Sequence, residues 1–575
     1  MAQHPWEEFY TEKAKAFNAE ELPTLHLGML MKKAAKEYGE RKACTTVLPN
    51  GAEGGLTYEE LDHHSDNLAI YLREELKLGQ GDVVAIMSPN CNGYPVASFG
   101  VFKSGCISTN INPLYTEPEM EHQLQDSNAK ALIVIDVFGD KVDEVVDKTN
   151  VKHVIKLSVV DFFPGLKAAI IGLVLKYVKK AVPPMRTKHV TLEKALKVGM
   201  SHRIANAIKT ESYIEPVGPD DTAVYQYTGG TTGRSKGAEL SHRSVLSNAF
   251  QMVAATEDDR MPKDVNGLVA LPLYHIFAFT FSMINGLLQG YHAVMVPSPR
   301  PPSNLKPVFD KYDISVFPAV NTLFAALPNE DWFTKDVAKK LIHCVAGGTA
   351  LQEAVAKTWE EKYGITIIQG YGLTESSCAL TVNPQSRPKL NSIGLPLPGI
   401  VIKIVDDEGN EVPVGESGEL IAKGPNIMKG YLDRPDETAN TVKDGWLYTG
   451  DVAKMDEEGY FYIVDRMKDM ILVSGFNVYP NEVEDAIAHM GGVSEVAVIG
   501  VPDDQSGEAP KAFVVRASAG LTEDEIREHC KDYLTGYKRP KEIEFIEEIP
   551  KSPVGKLLRK ELRAMEMERR KNNVS

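Results

Sequence analysis

The sequence predicts an α/β protein: two parallel sheets covered by helices on both faces, then a mostly antiparallel β unit, then a small α+β domain. Three observations carry this. Short apolar β-type runs alternate with helical patterns through the first two-thirds of the chain, which is how strand–helix units feed doubly wound parallel sheets. After Pro384 the pattern breaks into short strands separated by turns rich in glycine, proline and acids. Near Asp465 it changes again, to helical stretches interleaved with strands.

In chain order, the predicted buried strands are VVAIM (83–87), ALIVI (131–135), HVIKL (153–157), AVYQYT (223–228), GLVAL (267–271), HAVMV (292–296), ISVFPA (314–319), LIHCVA (341–346) and ITIIQ (365–369). That many strands suggest two sheets rather than one. LQEAVAKTWEEKYG (351–364) has apolar residues near helical spacing and closes on a glycine. Residues 393–464 carry the turns DDEGNE, VGESGE and DEEGY and form the antiparallel unit. Beyond it, VEDAIAHM, TEDEIREHCKDYL and KLLRKELRAMEMERRK are predicted helices, and EVAVIGV and KAFVV strands. Residues 565–575 are expected to fray.

The 575 residues exceed the roughly 250–300 at which one hydrophobic core stops growing, so at least two structural units are expected. The net charge of −16, from 63 basic and 79 acidic residues, argues against general nucleic-acid binding, which requires phosphate neutralisation. The cysteines Cys44, Cys91, Cys106, Cys344, Cys378 and Cys530 are scattered without a CxxC pair. Buried thiols in a reducing compartment fit this better than a metal cluster or a disulfide framework. The N-terminus MAQHPWEEFYTEKAKAF has no apolar run of signal-peptide length. Within 162–184 the uninterrupted apolar run Ala168–Leu175 is far short of the ~20 residues of a spanning helix. A cytoplasmic chain is expected, at most peripheral on the inner face of a membrane.

Residues 227–238 read Tyr227, Thr228, Gly229, Gly230, Thr231, Thr232, Gly233, Arg234, Ser235, Lys236, Gly237 and Ala238, directly after a predicted strand. The glycines permit close backbone approach, and amides and hydroxyls in such a turn can surround phosphate oxygens, with Lys236 as a mobile positive charge. The spacing fits neither GxxxxGK[ST] nor GxGxxG opening a helix. A flexible Gly/Ser/Thr turn is the bland alternative.

The run YTGGTTGRSKGAELSH (227–242) resembles the phosphate loop of the adenylate-forming acyl-CoA synthetase superfamily. YGLTE (371–375), GWLYTGD (445–451), DRMKDMILVSGFNVYP (465–480) and PKSPVGK (550–556) follow in the family's order. Within it, LPLYHIFAF (271–279) and ILVSGFNVYPNEVED (471–485) look most like bacterial long-chain-fatty-acid–CoA ligases. The resemblance implies an N-terminal domain over 1–465, whose β unit is a distorted barrel, and a mobile C-terminal domain over 466–575. It implies ATP and coenzyme A as cosubstrates, Mg2+ as cofactor and a fatty acid as substrate, and allows a homodimer.

The reaction it implies needs positioning and charge stabilisation more than a protein nucleophile. By the motif matches, Glu375 holds magnesium, Thr374 contacts the α-phosphate and Tyr371 stacks on adenine, with Gly347 and Gly348 of AGGTAL (346–351) along its edge. Asp451 accepts from the ribose hydroxyls, as a two-oxygen acceptor can, and Arg466 contacts ribose or phosphate. Lys556 offsets charge during adenylation. His275 gates or orients between acyl site and thiol. Lys468 is the hinge, with Asp469 beside it, and Ser474, Gly475 and Phe476 line the pantetheine tunnel. The acyl pocket is placed among Phe277, Phe279, Val320 and Leu323. Each also has a plain structural reading, as core aromatic, surface ion pair or solvated lysine.

Residues 162–192 hold six Lys/Arg and no acid around the run AAIIGLVL, which suggests peripheral contact with an anionic membrane through 162–188. The competing expectation is a partly buried surface helix with snorkelling lysines. Competing functions are a medium-chain or aryl acid–CoA ligase, an adenylating enzyme that loads a carrier protein, and a non-catalytic acyl or nucleotide sensor.

Overall fold

The computed structural model describes residues 4–228, 234–256, 261–262, 264–474, 476–503, 505–518, 520–552 and 557–574. It is α/β, with a large N-terminal body of sheets and a smaller C-terminal α+β domain. Four sheets organise it.

One sheet has seven strands, in the spatial order Val190–Thr191, His153–Leu157, Ala131–Ile135, Val83–Met87, Ile107–Ile111, Thr222–Tyr227, Gly237–Ser241. All its pairings are parallel except the last, an antiparallel hairpin around the glycine-rich loop. The second has nine strands: Leu395–Pro396, Thr381–Val382, Ile367–Tyr371, His343–Ala346, Ile314–Ala319, Asn266–Val269, His292–Met295, Lys42–Val47, Glu53–Thr57. Its centre is parallel and its edges antiparallel. Val83–Met87 and Ala131–Ile135 are buried at every position, as strands covered on both faces must be. The nine strands read from the sequence divide between these two sheets. The helix Glu353–Tyr363 ends on Gly364 at φ 72°, a left-handed cap that suits glycine.

Seven strands not among those nine complete the sheets: Lys42–Val47, Glu53–Thr57, Ile107–Ile111, Val190–Thr191, Gly237–Ser241, Thr381–Val382 and Leu395–Pro396. Val401–Val405, Gly418–Lys423, Val442–Lys443, Trp446–Met455 and Phe461–Arg466 form the antiparallel unit. The last sheet contains Ile471–Val473, Phe476–Val478, Val493–Asp503, Gly507–Arg516 and Glu542–Phe545, with helices Pro480–Ala488 and Glu523–Tyr533. The C-terminal helix runs Arg559–Val574, so residues 565–574 of the segment expected to fray are helical. Its Leu562 is buried against Ile499 and Phe513, which ties the helix to the sheet.

The segment 162–184 forms a helix at Gly165–Leu173, continued by a wider π turn at Val174–Val178. Ala168, Ile171, Gly172 and Leu175 are partly buried and the other residues of the helix are exposed, so a partly buried surface helix forms. No helix among the described residues is long and apolar enough to cross a membrane.

Candidate active site

In open α/β sheets, ligands collect beyond the carboxyl ends of the strands. Here the segments after four neighbouring strands converge on one cavity of about 2450 Å³. His275 follows Asn266–Val269, Val320 follows Ile314–Ala319, Gly347 and Gly348 follow His343–Ala346, and Tyr371 to Glu375 end Ile367–Tyr371. From the other sheet, Tyr227, Thr228, Arg234, Ser235 and Lys236 reach the same cavity. The volume exceeds the usual ~300–1,000 Å³ of a single-ligand pocket, as a space shared by several substrates would.

The loop at His275 is held from below. Asn90 donates its amide to the carbonyls of Val269 and Leu271 (3.0 and 2.9 Å) and accepts from Leu273 N–H (2.8 Å). The Tyr94 hydroxyl and the Gln226 amide donate to the carbonyls of Leu273 and Tyr274 (2.8 and 2.9 Å). All three side chains are buried, so the loop has little freedom. A π helix, Ala278–Asn285, follows. Such turns concentrate at functional sites because the extra residue re-aims side chains. Phe277, Phe281, Ser282 and Asn285 line the cavity, and Thr280 donates to the Ser377 carbonyl (2.7 Å).

That bond supports a strained turn. Glu375 lies in the short 3-10 turn Thr374–Ser376, and Ser377 and Cys378 follow at φ 62° and 146°, values that L side chains seldom adopt. A methyl group at Gly372 would sit 1.9 Å from the Cys378 carbonyl oxygen, which explains a glycine there. The fully buried Asn426 donates to the Ser376 carbonyl (2.9 Å), and Met428 N–H to that of Glu375 (2.8 Å). The Glu375 backbone is thus fixed from two sides. Its carboxylate accepts from the Tyr431 hydroxyl (2.6 Å), and burial, then the Glu375 charge, raises that phenol.

Tyr371, Asp451 and Arg466 meet on the cavity wall. The Tyr371 hydroxyl donates to Asp451 Oδ2 (2.6 Å), and Arg466 Nε lies 3.0 Å from Oδ1. Strand pairing sets Asp451 opposite Arg466. Burial, then Asp451, holds the Tyr371 phenol well above its usual range. Lys236 pairs with Glu437, and its ammonium lies 4.4 Å from the centre of the Tyr431 ring. Tyr227 donates to Asp126 (2.7 Å), which also pairs with Arg434 (2.8 Å).

Not every expected residue faces the cavity. Gly237 and Ala238 are buried within the strand Gly237–Ser241. Phe277 and Val320 line the cavity, but Phe279 is fully buried against Phe102 (ring centres 6.2 Å apart) and Leu323 packs on the core beside Phe324. Phe279 is a core residue, and Leu323, only partly buried, packs on core neighbours rather than lining the cavity. Ser474 is exposed, and Phe476 is 59% exposed and stacks on Tyr537; neither lines the cavity in this arrangement. Lys468 lies in the turn Met467–Asp469 between the antiparallel unit and the last sheet and borders the cavity. Gly229, Gly230, Thr231, Thr232, Gly233, Gly475 and Lys556 fall outside the described residues. Sequence reasoning missed Tyr431, Glu437, Asp126 and His122, whose ring bonds to the Ser235 carbonyl (2.9 Å). Each belongs to no quoted motif and arrives through tertiary structure.

Comparison with known proteins agrees with this geometry. The AMP-binding enzyme family model matches residues 31–432, and the AMP-binding enzyme C-terminal domain model matches residues 482–556. The long-chain-fatty-acid–CoA ligase of Haemophilus influenzae is 44% identical over 543 residues, 94% of each chain. That of Bacillus subtilis is 35% identical over 89% of this chain and 90% of its own. Among solved structures, ATP-bound MatB from Rhodopseudomonas palustris superposes with a TM-score of 0.80 at 27% identity, over 94% of this chain and 98% of that one. The chain belongs to the AMP-binding enzyme family.

Proposed function

We propose that the protein is a long-chain-fatty-acid–CoA ligase. A carboxylate oxygen of the acid attacks the α-phosphorus of ATP, and the bond to pyrophosphate breaks. The thiol sulfur of coenzyme A then attacks the acyl carbon, the bond to AMP breaks, and the thiol proton leaves to solvent. The observation that carries this reading is the single cavity on which the Tyr371–Asp451–Arg466 cluster, Glu375 and the glycine-rich loop converge, in a chain 44% identical to a ligase of that name along almost its whole length.

In this reading Asp451 turns its two oxygens to the ribose hydroxyls, with Arg466 beside it, and the Tyr371 ring borders adenine. Thr374 and Lys236 face phosphate. Among the described residues no group of three His, Cys, Asp or Glu could hold a metal. Mg2+ takes one or two carboxylates and draws its other ligands from phosphate and water; Glu375, which lines the cavity, would hold it, and the ion would supply charge neutralisation. Lys556 offsets charge growing on the α-phosphorus. His275 orients the acyl group near Phe277 and Val320. Lys468 is the pivot about which the small domain turns, bringing Ser474 to Phe476 towards the cavity for the thiol step. The enzyme works in the cytoplasm, where ATP and reduced coenzyme A are available.

The test is acid-dependent nucleotide release across C6 to C20 acids. AMP and pyrophosphate, with long-chain acids preferred, is the expected result; ADP as product, or preference for aryl acids, overturns it. Lys556→Ala should lose adenylation far more than thioester formation from preformed acyl-adenylate. Equal losses would refute the division of roles.

A further inference from the structure

We propose that the helix Glu117–Asp126 braces the glycine-rich hairpin, with His122 and Asp126 as positioning residues that hold its two stalks where they meet the polyphosphate of ATP. This brace rests on the ligase reading above, in which the hairpin faces phosphate, and adds to it two residues that belong to none of its motifs.

The stalks continue the strands Thr222–Tyr227 and Gly237–Ser241, and Thr228 N–H donates to the Lys236 carbonyl (3.0 Å). On the outer edge, Glu239 N–H donates to the Gly430 carbonyl and Leu432 N–H to that of Gly237 (2.9 Å each). Backbone pairing therefore carries the hairpin as far as Thr228 and Lys236. Further support comes from the side chains of one helix. His122 and Asp126 are four residues apart and share a helix face. His122 Nε2 lies 2.9 Å from the Ser235 carbonyl oxygen. A carbonyl can only accept, so Nε2 carries the proton. Asp126 Oδ2 accepts from the Tyr227 hydroxyl (2.7 Å). One bond thus reaches the strand that enters the loop, and the other the segment that leaves it. Burial, then the bond to Asp126, raises the Tyr227 phenol, so it stays a donor. The imidazole also meets the Tyr227 ring edge-on, with ring centres 6.5 Å apart.

A brace must itself be fixed. At the start of the helix Thr116 N–H donates to Glu119 (2.8 Å), part of a capping box. The fully buried Gln123 amide donates to the Thr109 hydroxyl and the Asn110 carbonyl (2.9 and 3.0 Å), in the strand that pairs with Thr222–Tyr227. The helix is therefore tied to the sheet independently of the loop. Asp126 Oδ1 accepts from Arg434 as well (2.8 Å), in the segment whose Tyr431 donates to Glu375. One carboxylate so links the hairpin to the residue assigned to magnesium. His122 lines the cavity and Asp126 does not, so Asp126 acts only through its partners.

Isothermal titration with Mg2+ present tests the brace, using ATP and AMP, which lacks the β- and γ-phosphates. His122→Leu loses one hydrogen bond between neutral groups, and its Kd for ATP should rise about three- to tenfold. Tyr227→Phe keeps the ring but loses a bond to a charged acceptor, and should cost about tenfold or more. His122→Gln keeps an amide donor at similar reach and should return to within about twofold of the wild type. The Kd for AMP should move less than about twofold in each, since a hairpin that has shifted still leaves the Tyr371 and Asp451 wall intact. Melting temperatures check that the variants fold. Unchanged ATP affinity in either His122→Leu or Tyr227→Phe overturns the brace. So do parallel losses of ATP and AMP, which mark general damage, and failure of His122→Gln to restore binding. Those results leave the ligase reading standing. A wild type that binds no ATP would overturn that reading and the brace with it.

Discussion

Replacing Tyr431 by Phe removes one oxygen, and the geometry gives that oxygen a definite task. It donates to Glu375 Oε1 at 2.6 Å, while the ring is buried and packs beneath the Lys236 ammonium. Phe keeps the ring and the packing. A hydrogen bond to a charged group contributes about 1.5–3 kcal/mol. The Glu375 side chain borders an open cavity where water can substitute in part, so about 1–2 kcal/mol should remain, or about 5–30-fold. Two effects oppose each other. Losing the phenol frees a lone pair for a cation, but it also frees the carboxylate to rotate. A carboxylate has about four acceptor sites, so one more adds little, and the loss of orientation should dominate. The Mg2+ concentration for half-maximal pyrophosphate release should therefore rise about 5–30-fold. The assay is pyrophosphate release at fixed ATP and varied Mg2+, with melting temperature alongside. If Tyr431→Phe melts lower yet keeps its Mg2+ dependence, the bond is structural and Glu375 does not hold the ion.

Asp451→Asn leaves one acceptor where two are used, so kcat/KM for ATP should fall about 10–100-fold through loss of charge-assisted hydrogen bonds; unchanged ATP kinetics would remove Asp451 from the ribose site. Asp161 concerns stability. Burial pushes its carboxyl up to about 7 despite a hydrogen bond from Ser158 N–H. A carboxyl raised in the folded state costs nothing below its unfolded value of about 3.9 and destabilises progressively as pH rises through the folded value. Asp161→Asn should raise the melting temperature at about pH 8, by at most about 4 kcal/mol in stability, and leave it unchanged near pH 4. The same shift at both pH values would refute the assignment to ionisation.

What was legible in the sequence follows the physics of each signal. Val83–Met87 and Ala131–Ile135 are covered on both faces, so they read as unbroken apolar runs. Ile107–Ile111 lies between them and Thr222–Tyr227 but reads ISTNI. Its Ser108, Thr109 and Asn110 are as buried as any valine. Asn110 accepts from Tyr94 and donates to Gln226, and Thr109 donates to the Tyr225 carbonyl. Burial by hydrogen bonding leaves no hydropathy signal. The site divides in the same way. Tyr371, Glu375 and Asp451 sit in motifs, because strand ends with tight turns constrain local sequence. Tyr431 reaches Glu375 only because Ala238 bridges to Tyr431 across the sheets, a pairing with no local trace. Phe279 and Leu323 failed as pocket residues because an apolar residue in the right loop does not say which way its helix faces.

The charges around the cavity lead to one more expectation. Six cations that line it already have a carboxylate: Lys236 with Glu437, Arg466 with Asp451, Lys538 with Glu482, Lys551 with Glu495, Arg559 with Glu484 and Arg563 with Asp469. A triphosphate entering this space also meets Arg234, Lys454, Lys468 and Lys560, but drawing on any of the six pairs means separating charges in a partly desolvated cleft, which is costly. The nucleotide should therefore bind as its Mg2+ complex. In isothermal titration with EDTA, ATP should bind no more tightly than AMP; with Mg2+ it should bind at least about tenfold tighter, about 1.4 kcal/mol. Repeating the titration on Arg234→Ala/Lys454→Ala/Lys556→Ala/Lys560→Ala removes these lysines and the loop arginine as competing sources of charge. If that variant in EDTA still prefers ATP to AMP, the paired cations release their carboxylates readily, and the ion is not what lets the cavity accept a polyanion.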